Sequence, residues 1–331
     1  MYANRQVEQI NIVQLRNLQF ERLKKQIKWA AEKSSFYQRR FAAAKVTTAD
    51  IKSLADIEQL PLLDSNELYQ TNPLDILALP LSALLRFNVI IDEDGPVIDL
   101  YTNGDIARNV EMMTRALVAA GINNASVVAL QGNFADSRIL DLQYALEMIG
   151  ATVVQMGNDY KQWMYLQEIV RCDTFISTPQ LMLQLFVQLR ALGKDISQYE
   201  LKRVICVNPQ GVNNILQRHI ANTTRGKVYN LYAPRTLGTA SMLYQCEAQS
   251  GYHIQEDCFY PEIVAFNSDE VIKEPHVMGE LVVTSLVAEA MPLIRYRTGQ
   301  AVILEKEPCS CGRTFMRVTT PYTAEKKILI E

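Results

Sequence analysis

Residues 126–156, SVVALQGNFADSRILDLQYALEMIGATVVQM, change period twice. SVVAL and ATVVQM are short apolar runs rich in β-branched residues. DSRILDLQYALEMIG between them spaces its apolar residues as a helix does. Gly150 stands where a helix C-cap belongs, as do Gly121 and Gly193 elsewhere. A strand, a helix and a second strand in this order predict a parallel pair, because parallel strands need a crossover connection. The alternation extends outward from about residue 85 to 232. LRFNVII, DTFIS, KRVICV and KVYNLY read as further strands; DIARNVEMMTRALVAAG, YKQWMYLQEIV, PQLMLQLFVQLRALG and NNILQRHIAN read as further helices. The fold class is therefore α/β, a largely parallel sheet covered by helices.

The flanks differ in texture. Residues 1–84 read as helical, with Ile12, Leu15, Leu18, Leu23, Ile27 and Ala30 at helical spacing, Ser35 as an N-cap, and Asp64 or Ser65 capping a short helix after LPLL. Residues 240–331 are β-rich, with FYPEIVAFN, GELVVTSL, PLIRYRTG and AVILEKE as strands. Three regions are expected: a helical region 1–84, an α/β region 85–239, and a small β subdomain 240–331.

Composition narrows the function classes. The 331 residues carry a formal net charge of −3, with 48% hydrophobic and 21% charged residues. There is no global basic field to attract nucleic acid. The N-terminus is polar and amphipathic, unlike a signal peptide, and no apolar run approaches the roughly 20 residues that span a membrane. Six cysteines in a chain this long fit reduced thiols, so the cytoplasm is the expected compartment. Cys172 and Cys206 read as buried core thiols and Cys258 as packing; neither His219 nor His276 has a partner set that marks a base.

The order of motifs then points to a family. LQFERLKKQIKWAAEKSSFYQRRF (18–41), LPLLDSNEL (60–68), STPQLML (177–183), GYHIQEDCFYPEIV (251–264), GELVVTSL (279–286), PLIRYRTG (292–299) and PCSCGRT (308–314) follow one another over nearly the whole chain. Together they resemble the phenylacetate–CoA ligase family, with its coenzyme F390 synthetase-like members, within the adenylate-forming superfamily. The resemblance implies a large N-terminal domain of helix-flanked sheets with a β subdomain. It also implies ATP, Mg²⁺ and coenzyme A as co-substrates, a carboxylic acid as substrate, and a homodimer.

Against that pattern several positions depart. The family's phosphate-wrapping loop ends in Gly-Lys-Pro; here VIIDEDGPVIDLY keeps Gly95 but has Asp92, Glu93 and Asp94 and no lysine. Three acidic groups would repel a polyphosphate, and they also read simply as a solvated hairpin turn. The glutamate that helps hold Mg²⁺ is matched by Thr236, preceded by Arg235; the ribose-gripping aspartate is matched by Gln300. Arg235 either pairs with the acidic run, filling the site internally, or faces solvent. The chain ends near the hinge, so the mobile C-terminal domain is expected to be absent. ATP-dependent activation is then not expected, and three functions stand: a non-catalytic paralogue binding a small carboxylic acid or a protein partner, an AMP-forming arylacetate–CoA ligase working with a separate C-terminal domain, or a structural subunit of a biosynthetic complex.

The resemblance also marks Cys246, His253, Cys309 and Cys311 as metal ligands. Three thiolates and one imidazole satisfy a closed tetrahedral zinc site with no position left for water. The expected role is structural.

Overall fold

The computed structural model describes residues 1–92, 95–208, 211–266, 268–305 and 307–320. Five helices open the chain: α1 (Arg5–Glu8), α2 (Ile12–Lys33), α3 (Ser35–Ala44), α4 (Ser65–Gln70) and α5 (Pro73–Ile76). Asn11 caps α2 by accepting the Gln14 N–H at 2.9 Å, and Asp64 caps α4. The cap of α3 is Ser34, one residue before the expected Ser35. Ser34 has extended backbone and its hydroxyl also donates to the Asp75 carbonyl, so it serves the helix and a tertiary contact together.

A hairpin follows, β1 (Arg86–Asp92) and β2 (Gly95–Tyr101). LRFNVII was expected in the parallel sheet; among the described residues it pairs with β2 alone. With Asp92 registered against Gly95, the connection is far too short for a crossover. The alternating part comprises α6 (Asn103–Ala119), β3 (Val127–Gln131), α7 (Ser137–Ile149), β4 (Thr152–Met156), α8 (Tyr160–Ile169), β5 (Thr174–Ser177), α9 (Pro179–Ala191), β6 (Arg203–Asn208), α10 (Asn214–Thr224) and β7 (Lys227–Tyr232). The last part holds β8 (Leu243–Tyr244), β9 (Tyr252–Ile254), β10 (Phe259–Val264), β11 (Met278–Ser285), β12 (Tyr296–Glu305) and β13 (Arg317–Thr319).

One mixed sheet of 11 strands runs in the order β10-β11-β12-β13-β9-β8-β7-β6-β5-β3-β4. Strands β3 to β7 are parallel, and all but the edge strand β4 are buried on both faces. Val128, Leu130, Ile176, Ile205 and Leu231 meet Leu117, Leu142 and Leu146 of α6 and α7, while Ala129, Phe175, Val204 and Cys206 meet Trp163, Met182, Leu185 and Ile220 on the other side. That double burial explains the near-continuous apolar strands. Hydrogen bonding passes residue 239 without a break, through the antiparallel pair β7 and β8. On the antiparallel half, Leu23, Ile27, Phe36, Tyr37 and Phe41 cover Leu281, Val283, Leu293 and Ile294. Among the described residues no helix is long and apolar enough to cross a membrane.

Candidate functional site

Three neighbouring strands bring together the four residues expected to ligate a metal. Cys246 lies two residues beyond β8, His253 is on β9, and Cys309 and Cys311 lie in the connection from β12 to β13. Pairing of His253 with Tyr244 on one side and Arg317 on the other fixes the imidazole between both groups of thiols. Cys246 Sγ is 3.6 Å from Cys309 Sγ, Cys311 Sγ is 3.4 Å from His253 Nε2, and all four donor atoms lie within 4.8 Å of one another. A tetrahedral ion with metal–sulfur bonds of about 2.3 Å and metal–nitrogen bonds of about 2.0 Å requires edges of about 3.5–3.8 Å, so the donors fit such an ion.

The surroundings orient the ligands. His253 Nδ1 is 3.3 Å from the Phe315 carbonyl, a contact that places the proton on Nδ1 and leaves Nε2 for a metal. The Tyr244 ring stacks on the imidazole at 5.5 Å. Hydrogen bonds from Cys246 and His253 hold the Cys311 thiol well below the usual thiol range. Gly312 takes a φ of 79°, which favours glycine in the turn that aims Cys309 and Cys311 inward; a Cβ there would also push on the Tyr2 hydroxyl, 2.5 Å away. The four donors could hold a metal ion, and they fill a tetrahedron. Cys258, Cys206 and Cys172 stand apart; burial pushes Cys206 up to about 12 and Cys172 up to about 11. Cys206 lies on β6 as expected, while Cys172 precedes β5.

The positions matched to a nucleotide site lie on β12, in the turn between β7 and β8, and at the β1–β2 connection. Gln300 on β12 is buried, and both ends of its amide are bonded to backbone. Oε1 accepts the Val212 N–H at 3.1 Å, and Nε2 donates to the Ala301 carbonyl at 3.0 Å. Gly211, with a φ of 112°, lets the loop after β6 approach that oxygen. Arg235 and Thr236 sit half-buried in a 3-10 turn, Arg235–Leu237, that ends on Gly238. The turn is anchored through the Gly238 carbonyl, which accepts from Asn109 Nδ2 at 2.9 Å and Tyr101 Oη at 3.2 Å. Asp92 and Gly95 close the β1–β2 register. Glu93 and Asp94 lie outside the described residues, and with them the expected pairing of Arg235 to the acidic run.

Thr236 also borders a cavity of about 580 Å³, counted with its open mouth, between α6, the 236–238 turn, β10 and β11. Met112, Leu237, Phe259, Val287 and Met291 give it apolar walls; Asp99 and Asn109 give it polar ones. Asp99 was not singled out from the sequence. It lies on the inner face of β2, with Asn88 at 3.5 Å, and burial raises its carboxyl to about 7 against the pull of Arg138. Asp141, fully buried behind Arg86 and Asn109, is raised to about 6 for the same reason. The signal was present but reads inverted. In β1 the alternating Phe87, Val89 and Ile91 are exposed, while Asn88 is buried.

Asp99 gives a pH prediction. Its folded pKa lies above the unfolded value of about 3.9, so the folded chain binds the extra proton between the two, and stability falls as pH rises through about 7. Asp99→Asn should therefore gain over the wild type by on the order of 2 kcal/mol between pH 5 and pH 8, read from urea unfolding at the two values. A difference that is flat with pH would show that Asp99 is not buried in this way.

No protein-family model matches the chain. Curated relatives do. It is 32% identical over 323 residues to a phenylacetate–coenzyme A ligase of Aromatoleum evansii, spanning 95% of this chain and 72% of the relative. With the enzyme of that name from Escherichia coli the identity is 31% over 302 residues, spanning 88% and 68%. With that from Thermus thermophilus it is 29% over 309 residues, spanning 92% and 69%. Among solved structures, 2-hydroxyisobutyryl-CoA ligase in its postadenylation state superposes with a TM-score of 0.86 at 18% identity, over 96% of this chain and 69% of the other. A long-chain-fatty-acid–CoA ligase from Archaeoglobus fulgidus reaches 0.52 at 12% identity, over 71% and 50%. The fold is that of the adenylate-forming CoA ligases, and with relatives above 30% identity matched over more than two thirds of their length, this chain belongs to the phenylacetate–CoA ligase family.

Proposed function

We propose that this chain is a zinc-stabilised binding member of its family, taking up a small carboxylic acid without carrying out ATP-dependent activation itself. Gln300 carries the reading. At the position where the resemblance implies a ribose-gripping carboxylate, a neutral amide spends its acceptor on Val212 and its donor on Ala301. Both bonds tie β12 to its own surroundings and leave no charge for a nucleotide. Thr236 offers a hydroxyl where a carboxylate would bind Mg²⁺, a poor exchange for a hard cation. Phosphoryl and adenylyl chemistry depends on stabilising the charge of the phosphates, and these residues do not supply it. The apolar cavity beside Thr236 suits the body of a small acid. Zinc at Cys246, His253, Cys309 and Cys311 would hold three strands together and take no part in chemistry.

A second reading is favoured by the comparisons. The relatives named above are phenylacetate–coenzyme A ligases and match 88–95% of this chain. On that reading the chain activates an arylacetate with ATP. Pyrophosphate exchange with ATP, Mg²⁺ and phenylacetate, beside calorimetry with phenylacetate alone, separates the two. The first reading expects saturable acid binding and exchange at the level of the blank. Exchange clearly above the blank would establish the second.

A further inference from the structure

The first ten residues meet the cysteine turn, although some 300 positions separate them in sequence. Glu8 is fully buried and Arg313 nearly so, and the carboxylate Oε2 accepts from Arg313 Nε at 2.6 Å. The other carboxylate oxygen accepts the N–H groups of Ala3 and Asn4, each at 2.8 Å, curling the N-terminus over the pair. Arg313 Nη2 donates to the Met1 carbonyl at 2.8 Å, and its guanidinium lies 5.0 Å from the Tyr2 ring centroid. The segment also reaches the turn itself. Tyr2 Oη donates to the Cys311 carbonyl at 2.7 Å, and Gln9 Nε2 donates to the Gly312 carbonyl at 3.1 Å. The Thr314 N–H donates to the Glu8 carbonyl at 3.0 Å. Arg313 follows Cys311 by two residues, close enough for its charge and that of the thiolate to act on each other.

We infer that residues 1–10 form the outer layer of the metal centre, with Glu8 and Arg313 as positioning residues for Cys311. This rests on the zinc reading above. Zn²⁺ with three thiolates and a neutral imidazole leaves one net negative charge, largely buried beside β8, β9 and β13. Arg313 offsets that charge at the sulfur, and Glu8 fixes where the guanidinium points. Without Glu8 the guanidinium would lose the partner that fixes its direction, so the pair acts as a unit. Metal binding and docking of the N-terminus then stabilise each other, since each orders the same turn.

The test uses the full chain. Zinc content and affinity are measured by chelator competition on the wild type, Glu8→Ala and Glu8→Gln, with circular dichroism to confirm folding. Hydrogen exchange then follows residues 1–10 and 309–314 before and after chelation. The wild type should hold one zinc per chain. Glu8→Ala should bind it about 10- to 100-fold more weakly, as outer-layer changes at metal centres do, with Glu8→Gln between the two. Chelation of the wild type should speed exchange in residues 1–10. A wild type that binds zinc beside a folded Glu8→Ala with unchanged affinity overturns this inference alone. So does protection of residues 1–10 that chelation leaves untouched, a readout that does not depend on any variant folding. A wild type that takes up no zinc overturns this inference and the zinc reading together.

Discussion

Replacing Cys309 by serine is expected to abolish stoichiometric zinc binding and lower the melting temperature by about 6 °C, and chelation of the wild type should do the same. The sulfur sits 3.6 Å from Cys246 and closes one edge of the donor tetrahedron. A serine hydroxyl is a poor zinc ligand at neutral pH, so the remaining three donors lose both a bond and a charge. An ion held at about 1,000 times its dissociation constant contributes roughly 4 kcal/mol, which for a chain of this size corresponds to about that shift in melting temperature. The same measurement on Cys258→Ser provides the control. Cys258 is equally buried but belongs to another cluster, beside Asp257 and Arg115, so its variant should keep the zinc. Equal zinc content in Cys309→Ser and the wild type would remove Cys309 from the ligand set.

Arg295→Met should cost about 3–5 kcal/mol, the loss that follows when one partner of a buried ion pair is removed. Arg295 is 2% exposed and meets Glu262 of β10 with two nitrogens, Nε at 3.2 Å and Nη2 at 2.9 Å. Its third nitrogen donates to the carbonyls of Glu58 and Leu60, at 3.1 and 2.7 Å. One guanidinium thus joins β10, the start of β12 and the segment after α3. Burial raises the Glu262 carboxyl, and Arg295 pulls it back. Without the arginine the folded carboxyl rises further above its unfolded value, so stability lost in the variant grows as pH rises from 5 to 8. Adding Glu262→Leu should recover most of the loss, because two apolar side chains leave no buried charge behind. Denaturant unfolding checks both variants. A single variant within about 1 kcal/mol of the wild type would show that Glu262 finds another partner.

The cysteine and histidine positions were legible because a family motif places them, yet their convergence was not. Nothing local says that β8, β9 and β13 are neighbours; that follows from pairings such as His253 with Arg317, across more than sixty residues. The hairpin β1–β2 misled for a related reason. Alternation in RFNVII tells which residues share a face but not which face is covered. Here the covered side is the polar one, because Asp141 and Arg138 of α7 lie beneath it. Gln300 likewise read as a lost carboxylate, whereas its position shows an amide bonded at both ends.

By itself the sequence determined the alternation from 126 to 232, since strand and helix periods are written in consecutive residues and depend on no distant partner. It also determined the family, through motifs that span the chain. Tertiary structure alone decided that parallel and antiparallel halves share one sheet. It alone placed Met1–Ile10 against the CSCG turn. Both are choices among long-range partners, which burial and buried charge settle only when the whole chain has closed.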